Sequence, residues 1–593
     1  MNNPNLNLGV VGNGSFGALI DERGRVVWSC LPAFDGDPAF CALLSPRHHD
    51  AGDYTIELED QLESEQAYVQ NTAILRTVLR DAHGGAIEII DFAPRWRQHD
   101  RFFRPVTLMR KVSPLAGSPR IRVRVRPLAD WGARVPESTW GSNHVRWVLP
   151  EFTLRLTTDV PVRFIREQTP FVLTQAVHLM LGADESLTRS VAGFLHEAQE
   201  RTTTYWREWV RYLSIPLEWQ DAVIRSAITL KLCQYEDSGA IIAAMTTSIP
   251  EAPHSARNWD YRYCWLRDAA FVVRALNRLG ATRSMEEFLR YIFNIATNEG
   301  TLQPLYGIAF EAQLHEHEVE SLAGYRGMGP VRRGNLAWIQ KQHDVYGSVV
   351  LASTHLFFDQ RLTAPGDGGA FEQLERTGDV AFAVYDQPDA GLWEFRGRQG
   401  VHTYSSVMCW VAADRLSKIA LQLGYRDRAA HWRSRADLMR ERILRESYDS
   451  EVGAFMETWG GSRLDASALV LADLGFIAAD DERFLGTLDA VEKKLKRGNY
   501  LFRYVDADDF GEPDTSFNLC TFWYLDALAR VGRTDEAREL FEHILSRRNH
   551  LGLMSEDLDP GTGESWGNFP QTYSMLGIIM IAMRLSHPWE LAS

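Results

Sequence analysis

Two acidic residues far apart in the chain stand in settings suited to proton transfer. Glu394 closes the run Asp389-Ala390-Gly391-Leu392-Trp393-Glu394. A carboxyl group beside a bulky indole has its proton affinity raised, because the anion is poorly solvated there. Glu556 sits in Gly552-Leu553-Met554-Ser555-Glu556-Asp557. One carboxylic acid and one carboxylate flanking a glycosidic bond are the minimum needed to hydrolyse it. Taken singly, each is an ordinary loop carboxylate. Glu564 is a rival base, but its Gly-Thr-Gly-Glu-Ser setting reads as a turn, so it ranks second. A third segment, Asn258-Trp259-Asp260-Tyr261-Arg262-Tyr263-Cys264-Trp265-Leu266-Arg267-Asp268, combines spaced aromatics with Arg and Asp at a helix start. Sugar rings stack on such faces, and Arg and Asp supply a donor and an acceptor for ring hydroxyls. A lone Asp at a helix start is more often an N-cap; the density of Trp, Tyr and Arg favours sugar contacts here. Arg332 and Arg503, in Val331-Arg332-Arg333 and Phe502-Arg503-Tyr504, suit either sugar hydroxyls or surface ion pairs.

The elements that must position these residues change character along the chain. Over residues 1–185, short runs such as Tyr54–Leu58, Ala86–Phe92, Thr153–Leu156 and Ala176–Leu181 read as strands. Ile121, Val123 and Val125 alternate with Arg122, Arg124 and Arg126, the pattern of a half-buried strand. Many short strands with turns between them predict an antiparallel β-sandwich. A helical connector follows over 186–215. From 216 to 593 the period is helical, with about twelve amphipathic segments and no second strand series. These run approximately 217–234, 265–280, 284–296, 345–360, 369–388, 403–424, 428–447, 465–476, 481–495, 516–532, 534–549 and 569–586. Links after even-numbered segments are short, about one to eight residues, whereas those after odd-numbered segments run from roughly fourteen to nearly fifty. Strict alternation implies antiparallel helix pairs, and pairs closed into a ring put every long loop on one face. That is an (α/α)6 barrel with its catalytic end on the long-loop side. No motif repeats at a fixed period, which argues against a helical solenoid.

Bulk composition narrows the partners. The chain has 593 residues, too many for one core, and its 45% hydrophobic and 24% charged residues are those of an ordinary soluble protein. A net charge of −15 disfavours nucleic acid and anionic membranes, either of which needs a basic face. Most of the 18 Trp residues serve simply to fill a large core. The six cysteines are scattered without a CxxC pair, so neither disulfides nor a zinc site is expected. No His/Asp ligand cluster demands a metal, no cofactor is expected, and a structural Ca²⁺ is left open. Met1–Gly9 lacks a basic stretch followed by an apolar one, which predicts a cytoplasmic location. No apolar run approaches the roughly 18 residues of a membrane span. The oligomeric state is not legible.

Tyr261-Arg262-Tyr263-Cys264-Trp265-Leu266-Arg267-Asp268 resembles the Tyr-x-Tyr-x-Trp-x-Arg-Asp segment of glycoside hydrolase family 15. Leu392-Trp393-Glu394 resembles its general-acid motif, and Leu553-Met554-Ser555-Glu556 the segment carrying its general base. The opening Gly9–Leu44, with Val27-Trp28 and Leu31-Pro32-Ala33-Phe34-Asp35, is similar to the start of the family's bacterial N-terminal β-domain. The resemblance covers nearly the whole chain. It implies a β-sandwich before an (α/α)6 barrel, Glu394 as acid and Glu556 as base. It also implies that Trp265, Arg267 and Asp268 bind a terminal glucose and that Tyr261 lies against the reacting sugar. Trp393 joins this substrate-binding set, as does Arg503, while the Arg332 match is looser. Phe395 stands where fungal members carry a second Glu, so contacts to the next sugar differ. The implied activity is inverting, exo-acting hydrolysis of α-linked gluco-oligosaccharides, with the two carboxyls roughly 6.5–9.5 Å apart rather than the 5–5.5 Å of a retaining pair. A glucoamylase-like enzyme releasing β-glucose from chain ends is favoured over an α,α-trehalase. A phosphorylase, and a barrel that has lost catalysis and only binds carbohydrate or regulates, are the readings of other classes.

Overall fold

The computed structural model describes residues 4–298 and 301–592. Its N-terminal part is two antiparallel sheets packed face to face. One runs in the order Leu8–Gly12, Gly17–Asp21, Val26–Leu31, Asp53–Leu58, Arg120–Arg126 and Phe171–Val172, with Asp37–Phe40 also paired to Val26–Leu31. The other runs Glu137–Trp140, His144–Val148, Thr153–Thr158, Val177–Ala183, Thr107–Ala116, Ala86–Phe92, Leu75–Asp81 and Gln61–Tyr68. In Arg120–Arg126 the alternation sorts as side-chain period requires: Ile121, Val123 and Val125 are buried, while Arg122 and Arg124 both reach Glu57 outside. The second sheet is covered on its far face by helix α1 (Val191–Arg211), whose Val191, Leu195 and Ala198 close over Ile74, Ile90, Phe92 and Met109.

The rest is helical. In chain order come α2 (Gln220–Leu232), α3 (Leu266–Arg278), α4 (Thr282–Asn298), α5 (Asp344–Ser353), α6 (Gly368–Val384), α7 (Thr403–Gln422), α8 (Arg426–Ser447), a 3₁₀ turn (Ala466–Val470), α9 (Glu482–Leu495), α10 (Asn518–Arg530), α11 (Thr534–Leu545) and α12 (Thr572–Leu585). Packing closes a ring: α12 on α3, α3 on α5, α5 on α7, α7 on the 3₁₀ turn, that turn on α10, and α10 on α12. The other helices form the outer layer. The sequence explains the two layers. Inner α7 and α12 are buried almost all round, as a helix with apolar or small residues on every face must be, whereas outer α4 and α11 are strongly amphipathic. Every outer-to-inner link is long, so the loops 233–265, 301–343, 385–402, 448–465, 496–517 and 546–571 all meet at the N-terminal ends of the inner ring. The expected helix at 465–476 is instead the 3₁₀ turn Ala466–Val470 followed by turns.

The sandwich braces the first of these loops from behind. Trp28 Nε1 donates to the Met245 carbonyl at 2.8 Å, and Arg262 Nη1 donates to the Gly36 carbonyl at 2.9 Å.

Candidate active site

Along Trp259–Arg262 the side chains alternate. Trp259 and Tyr261 face a pocket at the centre of the rim, while Asp260 and Arg262 turn back toward the sandwich as a buried ion pair at 2.7 Å. Trp265 then enters α3 from an extended conformation, which puts Arg267 and Asp268 in the first helical turn. Asp268 is therefore no N-cap. Tyr261 and Trp265 pack edge to face, with ring centres 5.3 Å apart. Each then holds a different carboxylate.

Trp265 Nε1 donates to Glu394 Oε1 at 2.7 Å, and Arg267 Nη2 and Gln342 Nε2 donate to the same oxygen at 3.3 Å. No protein donor reaches Oε2 among the described residues. The Glu394 backbone is unusual for a non-glycine residue, with φ of 60°; such a conformation persists only where surroundings impose it. Gln340 Nε2 holds the Glu394 carbonyl at 3.1 Å, and buried Asp389, at the start of the turn, accepts from His343 N, His402 Nδ1 and Ser405 Oγ. The indole touching Glu394 is that of Trp265, not the neighbouring Trp393. Trp393 lines the pocket but sends its Nε1 to Asp465 Oδ2 at 2.6 Å.

Tyr261 Oη donates to Glu556 Oε1 at 2.6 Å, whereas Glu556 Oε2 is buried without a hydrogen-bond partner. The residue is 2% exposed. Burial first, then the Asp557 and Glu251 carboxylates, raise its proton affinity well above the ordinary glutamate range; the Tyr261 hydroxyl and Arg503 act the other way. Backbone pairing fixes the residue, with Asn518 N donating to its carbonyl at 3.0 Å and its own N donating to Asn568 O at 3.2 Å. The two carboxylates thus line one pocket, with the Tyr261–Trp265 ring pair between them.

The remaining residues singled out from the sequence fall in three places. Arg267 and Asp268 line the pocket. Burial lifts the Asp268 carboxyl to about 7 against the opposing pull of Arg267 and the Tyr573 hydroxyl. Arg503 also lines the pocket, but its guanidinium is committed to a buried ion pair with Glu251. Arg332 stands behind the wall. It donates to the Ala256 and Asn258 carbonyls at 3.2 and 2.9 Å and lies 5.0 Å from the Trp259 ring. Glu564 pairs with Arg326 at 2.7 Å and does not line the pocket. Sequence reasoning passed over Gln342, Gln571 and Tyr573, all at or next to inner-helix N-termini, and Glu251, Arg257, Arg396 and Asp557 on the loops. Position just before or inside the first turn of each even-numbered segment was the available signal for the first three.

Among the described residues, no group of three or more His, Cys, Asp or Glu side chains is arranged to hold a metal ion, and no helix is long and apolar enough to cross a membrane. All six cysteines are free and buried.

The family model for glycosyl hydrolases family 15 matches residues 219–583. A trehalase of Thermoplasma volcanium is 31% identical over 97% of this chain and 93% of its own length. A trehalase of Mycobacterium tuberculosis is 33% identical over 95% of this chain and 86% of its own length. A bacterial glucoamylase crystallised with acarbose shares the fold, with a TM-score of 0.70, covering 98% of this chain and 94% of that one at 14% identity.

Proposed function

Because the chain belongs to glycosyl hydrolases family 15 and is a glycoside hydrolase, we propose that it is an inverting α,α-trehalase, with Glu394 as general acid and Glu556 as general base. The observation that carries this reading is the matched state of the two carboxylates. Each has one oxygen held by the protein and one left unengaged, and both line the same pocket. Three donors on Oε1 of Glu394 leave Oε2 as the place for its proton, which passes to the glycosidic oxygen as that bond to C1 breaks. Glu556 takes a proton from water, and the hydroxide oxygen bonds to C1 from the opposite face. Trp265, Arg267 and Asp268 bind the terminal glucose.

The choice of substrate departs from the preference drawn from the sequence. Relatives that match nearly end to end at 31% and 33% identity are trehalases, whereas the glucoamylase likeness, at 14% identity, is one of fold. A pure carbohydrate-binding role has less support, because it gives no reason to hold two carboxylates in this way.

Inversion at one ring of α,α-trehalose releases one β-glucose and one α-glucose. Proton NMR of fresh product, read before mutarotation, is expected to show the two anomers in equal amounts. α-Glucose alone would overturn the inverting assignment. Trehalose is expected to be cleaved well ahead of maltose, isomaltose and dextrin; the reverse order would restore the glucoamylase-like reading, and no release from any of them would favour a binding protein.

A further inference from the structure

Beyond Glu394 the chain runs directly into a collar of residues from four loops. The Arg396 and Gly397 amides both donate to Asp509 Oδ2, at 2.7 and 2.9 Å. A side chain at position 397 would collide with this contact, since a β-carbon there would lie 2.2 Å from Asp509 Oδ1. The Arg396 guanidinium spans to Glu316 with two hydrogen bonds, at 3.2 and 2.8 Å, and lies 4.5 Å from the Trp259 ring. Trp259 packs edge to face on Phe510 at 5.1 Å. Next to it, Arg257 makes two hydrogen bonds to Asp508, at 2.7 and 2.6 Å. Loops 233–265, 301–343, 385–402 and 496–517 are therefore tied together around one opening.

The position of this collar relative to the reacting bond follows from burial. Trp265, Arg267 and Asp268 are buried at the helix ends, whereas Arg396 and Asp509 are exposed, and all five line the same pocket. A terminal sugar that enters such a pocket lies at its floor, so the leaving group lies toward the mouth, under the collar. Its lining there is ionic and aromatic, suited to the hydroxyls and faces of a sugar ring. A longer glucan must carry its third and later units out through the same opening.

Resting on the trehalase reading, the geometry points to the Arg396 collar as the specificity determinant of this site: it grips a single leaving glucose and bars a continuing α-glucan chain. The ties that do this are the Arg396–Glu316 pair and the Asp509 contacts to the 396–397 amides. Removing either one opens the mouth without touching Glu394, Glu556 or the floor residues.

The test compares wild type with Arg396→Ala and Asp509→Ala, measuring kcat/KM for trehalose and for maltotriose. Each variant is expected to lose efficiency on trehalose and to gain it on maltotriose, narrowing the ratio by about tenfold or more, the scale on which pocket contacts discriminate. The anomer of the glucose released should stay unchanged. Proportional loss on both substrates, or no rise on maltotriose in either variant, would overturn the proposal. Failure of the trehalase reading shows separately, in the wild-type protein's own failure to cleave trehalose.

Discussion

Glu394 and Glu556 lie within loops of the same rim, yet the chain surrounds them with opposite chemistry. Glu394 keeps a side chain 23% exposed and receives an indole, a guanidinium and an amide on one oxygen. Glu556 is 2% exposed, receives a single phenol and has the Asp557 and Glu251 carboxylates for neighbours. Donors crowded onto one oxygen do not by themselves make an acid, but they leave the other oxygen free of protein donors among the described residues. Burial beside other anions does make a stronger base, because the charged form is penalised until it takes a proton. Under the proposed mechanism the same residue type is steered to two tasks by what surrounds it.

The largest effects should come from removing either carboxylate. Glu394→Gln and Glu556→Gln are each expected to lower kcat on trehalose by about 10²–10⁴-fold, the usual contribution of a general acid or base. α-Glucosyl fluoride separates the two, since fluoride departs with little need of a proton. Glu394→Gln should recover much of its loss on that substrate, and Glu556→Gln should not. Equal recovery by both variants would erase the distinction drawn between the two sites.

The helices were legible because periodicity and link length are local properties. Eleven of the predicted segments have an α-helix at their place, and Ala466–Val470 is the exception. There Asp465 uses its side chain to cap the Ser467 amide and to receive Trp393, so the short turn follows the needs of the site rather than helix propensity. The site was legible where residues cluster in sequence, as in Tyr261–Asp268. It was illegible where a partner arrives from another loop. Nothing near Gln342 reveals that it donates to Glu394, and nothing near Glu251 reveals that it takes up Arg503. The same limit explains Trp393: adjacency to Glu394 in sequence suggested contact, but the left-handed turn at Glu394 leaves it to Trp265, 129 positions away, to reach the carboxylate.

The floor of the pocket offers a smaller test, in which activity and stability move apart. Asp268 has a carboxyl lifted to about 7 by burial, against about 3.9 in an unfolded chain. The native state therefore binds more protons than the unfolded state between those values, and stability falls as pH rises from about 4 to about 7. Asp268→Asn removes that penalty. Its melting temperature should exceed the wild type's by at least about 2 °C at pH 8, with the gap closing at and below pH 4. Activity on trehalose should fall at least about tenfold, as expected for a lost hydrogen bond to a charged group. A variant that is inactive and also less stable at pH 8 would show that Asp268 serves the fold rather than the sugar.

The smallest catalytic effect is expected at Arg332, which shares a wall with the floor residues but stands on its outer side. Its guanidinium supports the Ala256 and Asn258 carbonyls and the ring of Trp259, and faces Glu316 and Glu318 at 3.6 and 3.8 Å. Arg332→Ala leaves the buried Asn258 carbonyl unsatisfied, while the exposed Ala256 carbonyl keeps the Asn258 amide at 3.0 Å, a loss of about 1–3 kcal/mol in stability. Turnover is affected only indirectly, through Trp259 and through Glu316, which also holds Arg396, so KM should rise by less than about tenfold while kcat holds, the pattern of weakened uniform binding. A fall in kcat of about 10²-fold or more at an unchanged melting temperature would instead put Arg332 on the substrate. It would also break the division between the residues that touch sugar and those that hold the wall.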